Sequence, residues 1–460
     1  MDHITQIENG LRLAIELKDQ PVKRMNILDR MSHYHVPGVS IALIHGARLE
    51  WSKCYGVVQA GSDTPITTKT LFQAASVSKP VAALAALALV QAGLLDLDQD
   101  VNQVLKSWQV PENEFTKTEK VTLRRLLSHS AGLTVHGFPG YAAGKPIPDV
   151  VQVLKGEPPA NTSPVEVDVT PGTIWRYSGG GTTVAQLLMM EGTGLPFAEV
   201  MKRYVLEPLG MHASTYEQPL PDGRRAEAAL AHDDQGKPYE GAWHTYPEQA
   251  AAGLWTTPEE LSRYVIALQN TYTGRSEPVI TQQWAQEMMR VQMQDFGIGP
   301  HLGGQNENAW FAHGGSNAGF RCRFMGFLHK GQGIAVMTNA DTGDMLVSEI
   351  VRATAAVYGW EELLPAVKEA ISLDREDLQK LVGVYRIEEF QEVTIEVDVS
   401  AGQLVYQSAE FPLPWKELHA QSAGSFFDQE SGWEIRFDLA GSTPSFTLEN
   451  ASMQLHAKRE

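Results

Sequence analysis

The sequence predicts an α+β fold: an antiparallel sheet flanked by helices with an all-helical subdomain, followed by a small antiparallel β-barrel domain. Three observations predict it. Strand-like alternation occurs in two distant stretches, "VSIALIHGARLEWSKCYGVV" (39–58) and "RCRFMGFLHKGQGIAVMTNA" (321–340). Between them, from about 95 to 310, helical patterns dominate, broken by Gly/Pro-rich loops such as "HGFPGYAAGKPIPD" and "GEPPANTSP". From "LVGVYR" (381–386) onward, apolar residues recur with period two. Strands at both ends with helices between them imply one sheet assembled from the two extremes of a domain. The final alternation implies a separate antiparallel unit. At 460 residues more than one domain is expected. The predicted domains are residues 1–365, carrying a helical insertion at about 95–310, and residues 374–460.

Taken in order, residues 3 to about 33 read as an amphipathic helix closed by "HVPGV". A hairpin follows, turning at "HGAR" (45–48). The segment "FQAASVSKPVAALAALALVQ" (72–91) is apolar on all sides, the mark of a helix in the middle of its domain. In "TPEELSRYVIALQN" (257–270), Thr257 is placed as N-cap, Pro258 at the first helical position and Glu260 at the capping-box position. A turn at Lys330–Gly333 and a helix around 343–358 complete the first domain. The charge-rich stretch "KEAISLDREDLQK" (368–380) changes the texture before the β unit. No internal repeat or low-complexity tract is visible.

Composition narrows the function classes. A net charge of −18 and a pI near 5.2 leave no basic footprint for a nucleic-acid backbone or an anionic membrane. The two cysteines, Cys54 and Cys322, lack metal-site spacing and read as unpaired thiols in a reducing compartment. The N-terminus lacks the apolar core of a secretory signal, and the longest apolar run, Val81–Val90, is about half a membrane span. A cytoplasmic location is the expectation, or a periplasmic or secreted one if a leader was removed.

Three stretches could carry chemistry. The first is Ser76-Val77-Ser78-Lys79, an S-x-x-K tetrad. On a helix, positions i and i+3 share a face at roughly 5–6 Å, so the Lys79 amine can reach the Ser76 hydroxyl. Desolvation in an apolar helix pushes a lysine pKa down, and a neutral amine beside a hydroxyl is a general base beside a nucleophile. Pro80 gives up one backbone donor and must sit where that loss is tolerated. On this segment alone, a lysine that merely caps a core helix remains equally open. The second stretch is "PGTIWRYSGGGTTVAQLL", where Tyr177 and Ser178 lead into Gly179 and a helical pattern. Read alone, it is a loop feeding a helix with a packed aromatic. The third is "FAHGGSNAGFRCRF", where His313, Gly314 and Gly315 enter a strand. Glycines in a strand often mark close approach by a ligand, and N–H groups there can face an oxyanion. The chain has neither a P-loop nor a G-x-S-x-G elbow.

The order and spacing of the three together resemble the serine β-lactamase and penicillin-binding protein superfamily. The branch they look most like is the class C type, with its D-aminopeptidases, carboxylesterases and lactamase-like hydrolases. "VPGVSIALI", "TLFQAASVSKP", "VTLRRLLSHSAGL", "VLEPLGM", "AAGLWTTPEEL" and "HGGSNAGFR" look like that family's framework, over about residues 20 to 360. The last unit resembles the lipocalin-like β domain appended to some relatives. The resemblance implies Ser76 as acylated nucleophile, Lys79 as proton acceptor and Tyr177 as second acid/base, the last two titrating as a pair. It implies an oxyanion hole from the backbone N–H groups of Ser76 and Ser316, and substrate contacts at Gly179, His313, Gly314 and Gly315. No metal or cofactor is implied. The implied substrate is a small ester, amide or short peptide; a catalytically silent acyl-binding or scaffolding protein on the same fold is the alternative. Two departures stand out. Gly179 replaces the asparagine common in the family's Y-x-N. His313 replaces the lysine of K-T-G, exchanging a permanent cation for a group usually neutral near pH 7.

Other residues receive plainer readings. His129 in "LLSHSAGL" terminates and braces a helix. "AHDD" (His232 to Asp234) reads as a solvated loop. Trp255 and Tyr246 read as packing residues, and the His136–Tyr141 loop as a rim of the pocket.

Overall fold

The computed structural model describes residues 2–389, 393–408, 415–439, 444–450 and 454–460. These form two compact units, residues 31–347 and residues 1–30 with 348–460.

In the larger unit the two alternating stretches become four adjacent strands of a six-stranded antiparallel sheet. The strands are β1 (Gly38–His45), β2 (Arg48–Gly56), β3 (His301–Gly303), β4 (Trp310–Asn317), β5 (Phe320–Phe327) and β6 (Gly333–Thr338), in the order β2-β1-β6-β5-β4-β3. Sequence-distant β1 and β6 pair directly, Val39 opposite Thr338 and Leu43 opposite Ile334. Both are buried along almost their whole length. The sheet is thus assembled from the two ends of the unit, and the long intervening segment is free to build the helical region and its loops.

That segment opens with helix α1 (Ser78–Gln91), buried from Ser78 to Leu89. Pro80 lies in its first turn, where the missing N–H has no intrahelical acceptor to lose. Helices α2 (Gly179–Thr193), α3 (Gln249–Ala252) and α4 (Pro258–Tyr272) follow. Helix α4 packs on the sheet through Tyr264, whose ring meets Phe324 edge-on at 5.5 Å, and through Val265, which lies where a Cβ on Gly326 would sit. Its start matches expectation only in part. The Thr257 hydroxyl caps the Glu260 N–H and Pro258 is the first helical residue. The Glu260 carboxylate, however, accepts from the Ala213 N–H and the Ser214 hydroxyl instead of returning to the cap. The helix around 343–358 forms at Gly343–Tyr358.

In the smaller unit eight antiparallel strands, from Gly383–Ile387 to Gln454–Arg459, run in chain order and close into a barrel. Tyr385, Phe426, Phe437 and Phe446 interlock with Val397, Leu404, Leu418 and Ile435 inside it. Eight strands is the size at which side chains can fill such an interior. The expected N-terminal helix over 3–33 does not form. Helix His3–Glu8 ends before Gly10, where a Cβ would meet the Gln6 carbonyl oxygen at 2.4 Å. Leu11, Leu13, Ile15 and Leu17 alternate, and Ile15–Leu17 becomes a strand parallel to Ala366–Lys368. Only Ile27–His33 resumes a helix.

Candidate active site

The site grows from the entrance to α1. Ala75 adopts φ of +47°, a left-handed conformation that costs a non-glycine residue on the order of 1–3 kcal/mol. The turn Ala75–Val77 leads into α1, so Ser76 lies just ahead of the helix rather than on it. From Leu71 to Leu89 every residue is buried except Ser76. The helix start is pinned from outside: Leu254 N–H donates to Ser78 Oγ at 3.0 Å and Tyr216 Oη to the Ser78 carbonyl at 2.8 Å.

Lys79, 4% exposed, spans the gap to Ser76. Its Nζ donates to Ser76 Oγ at 2.9 Å and to the Ala251 carbonyl of α3 at 2.8 Å. Burial pushes its pKa down to about 7. The amine is therefore largely unprotonated in slightly alkaline solution and already within hydrogen-bonding reach of the hydroxyl.

Tyr177 stands across the pair, with Lys79 Nζ 5.0 Å from its ring centre. Its chain is fixed on both sides. Arg176 N–H donates to the His129 carbonyl at 2.8 Å, and Ser178 N–H to His129 Nδ1 at 3.2 Å. Burial pushes the phenol up and the Ser76 side chain partly offsets that, so the phenol holds its proton while the amine loses one. Around Tyr177 lie His129 at 4.3 Å, His136 at 5.0 Å and His313 at 6.1 Å between ring centres. Burial lowers all three imidazoles, with the Lys79 charge acting in the same direction; His313 falls to about 3. His313 Nδ1 lies 2.6 Å from the Gly314 carbonyl and donates to it, while its buried Nε2 has no partner among the described residues.

The third stretch supplies an edge. β3 pairs with β4 only through Trp310, Phe311 and Ala312, so among the described residues 313–317 have no strand partner on that side. Gly315 sets the approach: a Cβ there would meet the Ala74 carbonyl oxygen at 2.3 Å and Cys322 Sγ at 2.6 Å. Gly314 and Ser316 are exposed. Asn317 ties the far end of β4 to Gln73 Oε1 at 2.7 Å and to the Ala252 carbonyl at 3.1 Å.

Ser76, Lys79, Tyr177 and His313 therefore converge, with Gly314–Ser316 alongside. Gly179 is buried at the start of α2, and its N–H donates to the His136 carbonyl at 2.9 Å. His129 follows the short helix Leu123–Leu127, as expected of a terminating residue. Trp255 and Tyr246 are packed: Trp255 meets Trp243 at 4.9 Å, and Tyr246 Oη accepts from Ala318 N–H. "AHDD" is not a solvated loop throughout, because His232 is fully buried, accepting from Ala60 N–H and bonding the Asn339 carbonyl. Cys54 and Cys322 are both free thiols. Motif reading missed the Ala251 carbonyl, which no residue type announces, and Phe296 and His301, which complete the ring cluster. Among the described residues no three His, Cys, Asp or Glu side chains are grouped as metal ligands, and no helix is long and apolar enough to cross a membrane.

A serine and a buried lysine at the mouth of a central helix thus lie beside a tyrosine and a sheet edge. The family model for beta-lactamase matches residues 24–358, and the chain belongs to that family. It is 27% identical over 268 residues to the unguisins hydrolase ungD of Aspergillus violaceofuscus, covering 53% of this chain and 44% of that one. It is 29% identical over 209 residues to the esterase EstB of Burkholderia gladioli, covering 44% and 52%. Penicillin-binding protein 4 of Amycolatopsis lactamdurans is 29% identical over 202 residues, covering 44% and 50%. The chain spans about half the length of these curated relatives. Among solved structures, the octameric penicillin-binding protein homologue from Pyrococcus abyssi superposes with a TM-score of 0.60 at 20% identity, covering 94% of this chain and 98% of its own. The D-amino acid amidase from Ochrobactrum anthropi gives 0.57 at 20% identity, covering 73% and 96%. Both show a shared fold.

Proposed function

We propose that the chain is a serine hydrolase that works through an acyl-enzyme on Ser76 and takes small, uncharged esters or amides. The 2.9 Å approach of a buried, easily deprotonated Lys79 amine to the one accessible residue of a sealed segment carries this reading. Lys79 accepts the Ser76 proton as Oγ attacks the substrate carbonyl carbon. The carbonyl oxygen becomes an oxyanion facing the N–H groups of Ser76 and Ser316. As the intermediate collapses, the bond to the leaving group breaks and Tyr177 protonates that group, regaining its proton from the Lys79 ammonium. Water then attacks the acyl carbon, the same pair takes its proton, and Ser76 leaves protonated.

The substrate class follows from charge. A neutral His313 replaces a fixed cation beside the cleft, and position 179 supplies no side-chain donor, so the site offers little to a carboxylate or to an amide-rich acyl group. Among relatives, the esterase fits this best; the amidase and penicillin-binding names mark the amide alternative. A fluorophosphonate should add one adduct mass to the wild type and none to Ser76→Ala. Hydrolysis of p-nitrophenyl butyrate should vanish in Ser76→Ala and Lys79→Ala. Labelling at another residue, or turnover that survives both substitutions, overturns the assignment. No labelling and no turnover would favour a silent acyl-binding protein.

A further inference from the structure

We propose that Phe138 is the specificity-determining residue on the Tyr177 side of the nucleophile: its ring occupies the seat of the side chain that position 179 lacks, and so limits the bulk of the acyl group. This rests on Ser76 as the acylated residue.

Gly179 does not need to be glycine for its backbone. It is the first residue of α2, where alanine would ordinarily be preferred. What excludes a side chain is occupancy: a Cβ would lie 2.9 Å from Phe138 Cε2 and 3.1 Å from the His136 carbonyl oxygen. The two segments run side by side, with Gly179 N–H donating to His136 O at 2.9 Å and Gly180 N–H to Val135 O at 3.0 Å. The same alignment brings the His136 ring to 5.0 Å from Tyr177. Phe138 is thus carried along the flank of the site, two residues from a ring that touches the proposed acid/base, and it is only partly buried.

The loop is also held in place. Tyr141 and Thr245 exchange backbone hydrogen bonds at 2.9 and 2.8 Å. Asn161 Nδ2 donates to the Gly140 carbonyl at 3.0 Å, and His244 Nδ1 bonds the Pro139 carbonyl at 3.0 Å. A Cβ on Gly140 would meet the Tyr246 ring at 2.5 Å, so the loop lies flat on that residue. The backbone is thus anchored on both sides of Phe138, and a ring carried on a fixed backbone beside the site discriminates by size.

The test has two arms. In the first, kcat/KM for p-nitrophenyl acetate, butyrate and phenylacetate is measured for wild type and Phe138→Ala. The phenylacetate-to-acetate ratio should rise at least about tenfold, the order expected when a pocket gains room for a few carbons. An unchanged or lower ratio in an active protein overturns the proposal. In the second, urea midpoints are compared for Gly179→Ala alone and in the Phe138→Ala background. The substitution should destabilise the wild type and cost clearly less once the ring is gone; an equal cost in both backgrounds overturns the occupancy on which the proposal stands. The second arm needs no turnover, so complete inactivity would count against Ser76 as nucleophile while the seat of Phe138 is still decided.

Discussion

Lys79 gives the sharpest expectation. In the unfolded chain its amine titrates at the ordinary value of 10.5, and in the fold burial holds it near 7. A lysine whose folded pKa is depressed favours folding fully only above its unfolded pKa, and that contribution is lost as pH falls towards the folded one. The full difference, at 1.36 kcal/mol per unit, is about 5 kcal/mol. Lys79→Met removes this dependence, but it also removes the donor to the Ala251 carbonyl and to Ser76 Oγ. Those hydrogen-bond losses bear on both pH values alike. Comparing mutant with wild type at about pH 7 and again at about pH 9 therefore isolates the proton. The relative stability of Lys79→Met should be greater at the lower pH by about 2 kcal/mol, allowing for partial protonation in the fold near pH 7. Urea denaturation followed by tryptophan fluorescence measures it. Equal differences at the two pH values would show that Lys79 keeps an ordinary pKa, and general-base chemistry at Ser76 would lose its physical basis.

Three further expectations bear on neighbouring groups. Tyr177→Phe should leave Ser76 open to fluorophosphonate but cut p-nitrophenyl butyrate turnover by roughly 10²–10⁴-fold, the usual weight of a positioned acid/base; a drop below about tenfold would assign proton transfer to Lys79 alone. Gly315→Ala should destabilise by about 1–3 kcal/mol and widen the gap between β4 and Ala74. Gly314→Ala, which meets only the Cys322 carbonyl at 3.8 Å, should fold normally, and equal thermal shifts would contradict the packing. Glu248 is fully buried and its carboxylate has no partner among the described residues beyond its own backbone N–H, so burial raises it to about 8. Its stabilising contribution is complete below 4.5 and lost as pH rises to about 8, so Glu248→Gln should stabilise the protein at neutral pH by about 3 kcal/mol. A pH-independent difference in denaturation midpoint would rule this out.

What the sequence revealed depended on the range of the contact. The hairpin at 39–58 and the helix at 78–91 could be read because period and apolarity are written in consecutive residues. The pairing of β1 with β6 required only the rule that domain-end strands meet. Ser76 and Lys79 lie three residues apart, so their meeting is local. Their third neighbour, Ala251, is a carbonyl 172 positions away from Lys79, and any residue type could supply it. Pattern put Glu260 at the capping-box position, but its carboxylate does not return to the cap and accepts instead from Ala213 and Ser214, 47 and 46 positions distant. The stretch around His232 reads as solvated because no other ligand group stands nearby in sequence, whereas tertiary packing buries the ring. The segment 3–33 failed for a different reason. Within its helix-like pattern Leu11, Leu13, Ile15 and Leu17 alternate at strand period, and Gly10 with the parallel pairing to 366–368 lets that alternation win.

The seal around Ser76 also shapes how this protein can diversify. A stretch in which eighteen of nineteen residues are locked by packing tolerates few replacements, since nearly every change there disturbs the interior before it can alter chemistry. Novel preferences would have to be written on the surrounding loops, leaving Ser76 and Lys79 untouched. Directed-evolution libraries aimed at the less buried positions 136–139 and 244–245 should therefore yield altered selectivity, while libraries aimed at 71–89 should yield mostly insoluble clones.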